Sequence, residues 1–186
     1  MFNWGSIVES AVSTFGQLSG IVHNAGFCRF MDFEAVTAEQ LDTHMSINFA
    51  GPFAITQAVV EQMKRQGSGG SVVSIASITA LMGSSTLVHY GPTKAAVLGL
   101  TMNSAVALGK YGIRFNAVSP GTTETAMNAV ELQGAKRDML EAAVPLGRLG
   151  APVDIARAVV FFLSDMSGYV TGQNLIVDGG ASVNYQ

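Results

Sequence analysis

The stretch that decides the fold is Gly70-Ser71-Val72-Val73-Ser74-Ile75-Ala76-Ser77, followed after a loop by a helical run from about His89 to Lys110 and then by Ile113-Arg114-Phe115-Asn116-Ala117-Val118. Ser71 to Ala76 is short and mostly apolar and reads as a buried strand. Gly112 breaks the helix, and Ser119-Pro120-Gly121 closes the second apolar run. Strand, helix, strand is the crossover unit of a parallel sheet. The pattern continues outward. Upstream, Ile7, Val8, Ala11 and Val12 recur at helical spacing up to Gly16, and Leu18 to Val22 forms an apolar run closed by Asn24-Ala25-Gly26. Thr37-Ala38-Glu39-Gln40 is a capping-box signature that opens one long helix from Ala38 to about Arg65. Downstream, a polar, irregular stretch leads to a helix at Pro152 to Leu163 and a strand at Asn174 to Val177. This alternation predicts a doubly wound α/β fold with about four parallel strands and helices on both faces. Ligands in such sheets sit beyond the carboxyl ends of the strands, so a site is expected at the turns after Val22, Ala76 and Val118.

Composition narrows the partners. At 186 residues the chain is expected to form a single domain, and 48% hydrophobic against 12% charged residues suits elements buried on both sides. The net charge is −3 and no Lys/Arg stripe is present, which argues against nucleic acid or an anionic membrane as partner. Cys28 is the only cysteine, so no intrachain disulfide can form, and a reducing, cytoplasmic setting is expected. Its reading is a small buried hydrophobe without a role. No signal peptide or spanning run of roughly 18 apolar residues is read.

Tyr90 and Lys94 stand four apart at the start of a helix and share a face, which suits an acid/base pair. A tyrosine titrates near pH 10, and a neighbouring ammonium favours phenolate. Ser77, thirteen residues before Tyr90, lies where a hydroxyl could bond a substrate oxygen. The alternative is a surface tyrosine and lysine that share a spacing by chance, with Ser77 one serine among several. His23, His44 and His89 have no partners at metal-ligand spacing and are read as structural, so no metal site is expected.

Taken together, Gly70 to Ser77 and Tyr90-Gly91-Pro92-Thr93-Lys94 resemble the active-site signature of the short-chain dehydrogenase/reductase family. Asn24-Ala25-Gly26 is similar to the family's turn near the cofactor, with His23 where a second Asn is commoner. Asn116-Ala117-Val118-Ser119-Pro120-Gly121, with Thr123 and Thr125 following, resembles the segment that contacts nicotinamide, and Val177-Asp178-Gly179-Gly180 resembles the C-terminal pattern. The resemblance implies a Rossmann-type sheet and reversible hydride transfer between NAD or NADP and an alcohol or carbonyl. Tyr90 would exchange the hydroxyl proton, Ser77 would fix the oxygen, Lys94 would lower the tyrosine pKa and grip the ribose, and Asn48 would hold a water in a proton relay. Asn24, Ala25, Gly26, Tyr90, Lys94, Pro120, Gly121, Thr123 and Thr125 would contact the cofactor.

Further stretches, His89 to Lys94, Ala107 to Arg114 and Val177 to Asn184, are similar to a sugar-oxidising branch of the family, the fungal L-rhamnose 1-dehydrogenases, which form a lactone. On that resemblance Thr79, Thr122 and Asn128 would lie near sugar hydroxyls, and Leu87 stands where Gln is expected. The family also implies a homodimer or homotetramer through the helices at Ala38 to Arg65 and His89 to Lys110, which carry Phe53, Ile55, Val59, Val60, Val97, Leu98, Leu100 and Met102. Family members begin with a strand, a glycine-rich turn and a helix that takes the pyrophosphate. No such cluster precedes a helix in these 186 residues. The chain is therefore expected to be the C-terminal two-thirds of the fold, its phosphate-binding motif absent and its turnover impaired, with Leu18 to Val22 an unprotected edge. A non-catalytic oligomeric scaffold and a small-ligand-binding subunit stand as alternatives.

Overall fold

The computed structural model describes residues 3–184. Its sheet has four parallel strands in the order β1 (Gly20–His23), β2 (Gly70–Ile75), β3 (Ile113–Pro120), β4 (Asn174–Val177). Ile21, Val72 and Phe115 align across three strands, as do Ser74, Ala117 and Asn174, so the carboxyl ends of the strands finish along one rim. Among the described residues β1 pairs only with β2, which leaves the expected open edge.

Because strand side chains alternate, Val72 and Val73 serve opposite faces. Val72, Ile113 and Phe115 pack with Val8 of α1 (Trp4–Phe15) and with Val59, Val60 and Met63 of α3 (Gly51–Gln66), together with Ala105 of α4 (Tyr90–Leu108). Val73 and Val118 pack with Ala158 and Phe162 of α6 (Pro152–Leu163). Each such side chain contributes about 1.5–3 kcal/mol by leaving water. Arg114 fastens α6 to the sheet: its guanidinium donates to the carbonyls of Phe162 and Ser164 and to the Ser167 hydroxyl. A cation there meets the carbonyls that the helix end leaves unpaired.

Three expectations need correction. The helix predicted as one piece from Ala38 to Arg65 is α2 (Ala38–Met45), a single π turn (Ser46–Ala50) and α3. Pro52 is the cause: it has no N–H to return to the preceding turn, and bonding shifts to wider spacing, Gly51 N–H donating to the Ser46 carbonyl. The Asn48 carbonyl, four residues before Pro52, thereby has no helical donor at the usual spacing. Second, the stretch read as irregular contains α5 (Gly134–Ala142). Third, Val59, Val60 and Val97 are core and not interface; the exposed apolar residues on α3 and α4 are Phe53, Met102 and Val106.

Candidate active site

The turns after β1, β2 and β3 enclose one cleft of about 750 Å³, as the polar punctuation of the sequence indicated. Ser77 follows β2 and opens a short turn at Ile78–Ala80, where its oxygen accepts from the Thr79 N–H at 3.1 Å and the Thr79 hydroxyl at 2.9 Å. Tyr90 is the first residue of α4 and is buried. The approach of this helix end is tight: a Cβ on Gly91 would lie 3.0 Å from the Thr79 carbonyl oxygen. One turn on, Lys94 is also buried and donates to the Ile75 carbonyl at 2.9 Å, its Nζ 5.6 Å from the centre of the Tyr90 ring.

Asn48, which the π turn carries inward, is buried and clamps the turn after β1. Its Oδ1 accepts from the Phe27 N–H at 2.8 Å, and its Nδ2 donates to the Phe27 carbonyl at 2.9 Å and to the Thr93 hydroxyl at 3.0 Å. Gly26 lies beside these groups; a Cβ there would meet Lys94 Nζ at 3.5 Å and Asn48 Oδ1 at 3.6 Å. Asn24 and Gly26 line the cleft, whereas Ala25 is exposed and does not.

The β3 side supplies Pro120, Gly121, Thr122, Thr123 and Thr125 to the wall. Gly121 is packed so closely that an added Cβ would stand 2.8 Å from Asp178 Cα, which accounts for a glycine here. Asp178 in turn accepts from the N–H groups of Gly180 and Ser182, fixing the bend after β4. Thr79 and Asn128 also line the cleft, but their polar atoms already have partners. Asn128 accepts from the Thr125 N–H and donates to the Thr123 carbonyl.

Burial sets the titration of the central pair. Lys94 is lowered to about 8 by burial. Tyr90 is raised, first by burial and then by Cys28, with the Ser77 hydroxyl opposing. Loss of hydration disfavours the charged phenolate, which is why burial leads. Cys28, read as without a role, lies in the cleft wall with its thiol pushed up to about 11 by burial. Leu87, Phe30, Met82, Met127, Leu132 and Leu140 complete an apolar wall that, Leu87 apart, carried no sequence signal, since chain folding alone brings these residues together. The three histidines are buried, and among the described residues no group of three or more potential ligands could hold a metal. No described helix is long and apolar enough to cross a membrane.

Residues 3–182 match the sequence profile described as enoyl-(acyl carrier protein) reductase, one of the short-chain dehydrogenase/reductase profiles. The chain belongs to the short-chain dehydrogenase/reductase family. It is by family an oxidoreductase. It is 50% identical over 181 residues to L-rhamnose-1-dehydrogenase of Scheffersomyces stipitis, covering 97% of this chain and 70% of that one. With L-rhamnose 1-dehydrogenase (NAD(P)(+)) of a Sphingomonas species it shares 48% over 180 residues, 96% of this chain and 71% of the other. A crystal structure of gluconate 5-dehydrogenase from Burkholderia cenocepacia, in complex with NADP and tartrate, superposes with a TM-score of 0.92 at 31% identity, over 98% of this chain and 71% of that one. A Rossmann-like parallel sheet is thus the family frame of this site.

Proposed function

We propose that the protein is an NAD(P)-dependent sugar dehydrogenase that oxidises the C1 hydroxyl of L-rhamnose to the lactone. The observation that carries the reading is the convergence of Ser77, Tyr90, Lys94 and Asn48 on one cleft at the carboxyl rim of the sheet. Support for the substrate comes from relatives named for that reaction at 45–50% identity.

The residues present suit a nicotinamide nucleotide. Only one of the three N–H groups of Lys94 is taken, by Ile75, which leaves donors for ribose hydroxyls. Lys94 and Tyr90, with Asn24 and Gly26 on one side and Pro120, Gly121, Thr123 and Thr125 on the other, would hold the nicotinamide half. When bound, NAD(P) supplies the acceptor for the hydride that leaves C1. Ser77 would donate to the C1 oxygen and hold it against Tyr90, and Tyr90 would take the hydroxyl proton. The tyrosine must reach phenolate against its burial; the Ser77 hydroxyl favours that form, and the Lys94 ammonium beside the ring would add to it. Asn48 and Lys94, whose Oδ1 and Nζ both lie beside Gly26, would form the start of an exit for the proton. Thr79, from the turn after β2, and Thr122 and Asn128, from the segment after β3, would face the sugar hydroxyls.

The test is oxidation of L-rhamnose, followed by the absorbance of reduced nicotinamide with either nucleotide. A strong preference for a steroid or fatty-acyl carbonyl would overturn the substrate. We further infer a homodimer or homotetramer through α3 and α4, where Phe53, Met102 and Val106 present apolar surface. Light scattering at micromolar concentration is expected to give at least twice the chain mass; a clean monomer would refute it.

A further inference from the structure

The turn after β1 is fastened to the helical unit behind it at three points, and Asn48 is only the middle one. Toward β1, His23 Nε2 lies 2.8 Å from the Thr56 hydroxyl, which itself donates to the Pro52 carbonyl and so accepts from the ring. At the far end of the turn, the Arg29 N–H donates to His44 Nε2 at 3.3 Å. His44 Nδ1 lies 2.6 Å from the Gln40 carbonyl, which can only accept, so this nitrogen donates. It has no exposed surface, and it lies between two rings: Phe27 at 4.7 Å and His89 at 4.3 Å, the latter edge to face. His89 is the residue immediately before Tyr90. It too is buried, and neither of its ring nitrogens has a hydrogen-bond partner.

Buried polar atoms without partners are rare, so a fully buried imidazole that bonds nothing requires an explanation. His89 meets His44 edge to face and also lies near the Arg29 main chain, so it acts here through shape and contact. We propose that His44 is a positioning residue for Tyr90: through the Arg29 main chain it fixes the turn carrying Asn24 and Gly26, and through the His89 ring it fixes the first turn of α4. One side chain then keys the nucleotide side of the cleft to the proton-carrying side. Histidine suits the place because it is flat enough to stack and supplies both the acceptor that Arg29 needs and the donor that Gln40 needs. Phenylalanine would fill the space and supply neither. Burial and the nearby His44 both hold His89 below its ordinary titration range, which keeps the ring pair free of mutual repulsion.

The inference rests on the reading of Tyr90 as the proton carrier, and two readouts keep the questions apart. In the oxidation assay His44→Phe is expected to lower kcat at least ~10-fold with KM for sugar and nucleotide within about 3-fold, since small misplacements at the reacting group cost turnover before binding. His44→Gln, whose amide oxygen can take the Nε2 place, should return kcat to within about 3-fold of the parent. Independently of turnover, the Tyr90 phenol is titrated by ultraviolet difference spectra against Tyr90→Phe. Its raised midpoint should fall in His44→Phe, as the loosened helix end admits water, and stay in His44→Gln. If the parent protein oxidises no sugar, the proposed activity fails while the titration still decides the positioning role. Should His44→Phe not fold, His89→Ala against His89→Phe reads the same contact: the first should lose turnover and shift the phenol, the second should not. An unchanged kcat and phenol midpoint in folded His44→Phe, or a folded His44→Gln as impaired as His44→Phe, would overturn the proposal; so would His89→Ala and His89→Phe behaving alike.

Discussion

The two walls of the cleft are built in different ways. On the wall formed by the turns after β1 and β2 and the start of α4, the polar side chains are buried and bonded to residues far along the chain. Lys94 reaches Ile75, nineteen residues away, and Asn48 reaches Phe27 and Thr93, twenty-one and forty-five away. On the wall formed by residues 122–142 the side-chain hydrogen bonds are local, while main-chain bonds between Thr122, Glu124 and Gly150 tie its start. Asn128 ties its own turn, and α5 has no buried residue and is held from outside by Arg137 to Glu124 and Glu141. The first wall cannot move without breaking the sheet packing; the second can be altered residue by residue. On the proposed function, proton transfer belongs to the wall the whole fold defends, and Thr122 and Asn128 place part of the sugar's recognition on the wall that is cheap to change.

The sharpest way to break this contrast is Tyr90→Phe, expected to lower kcat by about 10³ with little change in thermal stability, within the range for a proton-transferring group. Near-parental turnover of purified Tyr90→Phe would remove the chemistry from the rigid wall. Next in size is the nucleotide. We expect the phosphates of the nucleotide to need a strand, a glycine-rich turn and a helix ahead of this sheet. Calorimetry is expected to show NAD(P) binding tightened by about two orders of magnitude or more when a strand, such a turn and a helix are joined ahead of residue 1, as two phosphate contacts of about 1.5–3 kcal/mol each would give. Micromolar binding by the chain as it stands would refute that.

The rigid wall also has a pH signature. Burial lowers His23 to about 4 in the folded chain, against about 6.5 for a free histidine. Between those values the unfolded chain holds the proton and the folded chain does not, so stability rises with pH and is lost as pH falls from 6.5 toward 4. The loss from this residue is on the order of 3 kcal/mol, measurable by urea unfolding, and His23→Gln should flatten the slope. An equally steep slope in that variant would show that the titrating group lies elsewhere. The smallest effect belongs to the other wall. Asn128→Ala is expected to raise the sugar KM about 3-fold to 10-fold and leave kcat nearly unchanged; a loss in kcat as large as that of Tyr90→Phe would erase the distinction between the walls.

The same contrast governs how much could be read from the amino acids. The strands were legible because each is a short apolar run bounded by turn residues, and Ser77, Tyr90 and Lys94 because they stand in ordered motifs at those turns. The π turn was hidden because Leu41, Met45, Ile47 and Phe49 continue a helical pattern straight across it, and only Pro52 signals otherwise. α5 was missed because Gln133 makes no side-chain cap and no residue of the helix is fully buried, Leu140 packing only partly against Leu132, Val144 and Leu149, so the start signal is absent and the apolar face is weak. The direction of the Tyr90 shift depends on burial, which no spacing reports.

The widened turn at Ser46–Ala50 amounts to one extra residue wound into a helix. Each residue of an α-helix advances about 100° around the axis, so the insertion sets α2 and α3 out of phase with one another. Deleting a residue there would swing His44 and the start of the π turn away from the turn after β1, while Thr56 stayed in place. Length here behaves as an angular setting, and along this helix a change in residue count would be felt more sharply than most changes in residue type.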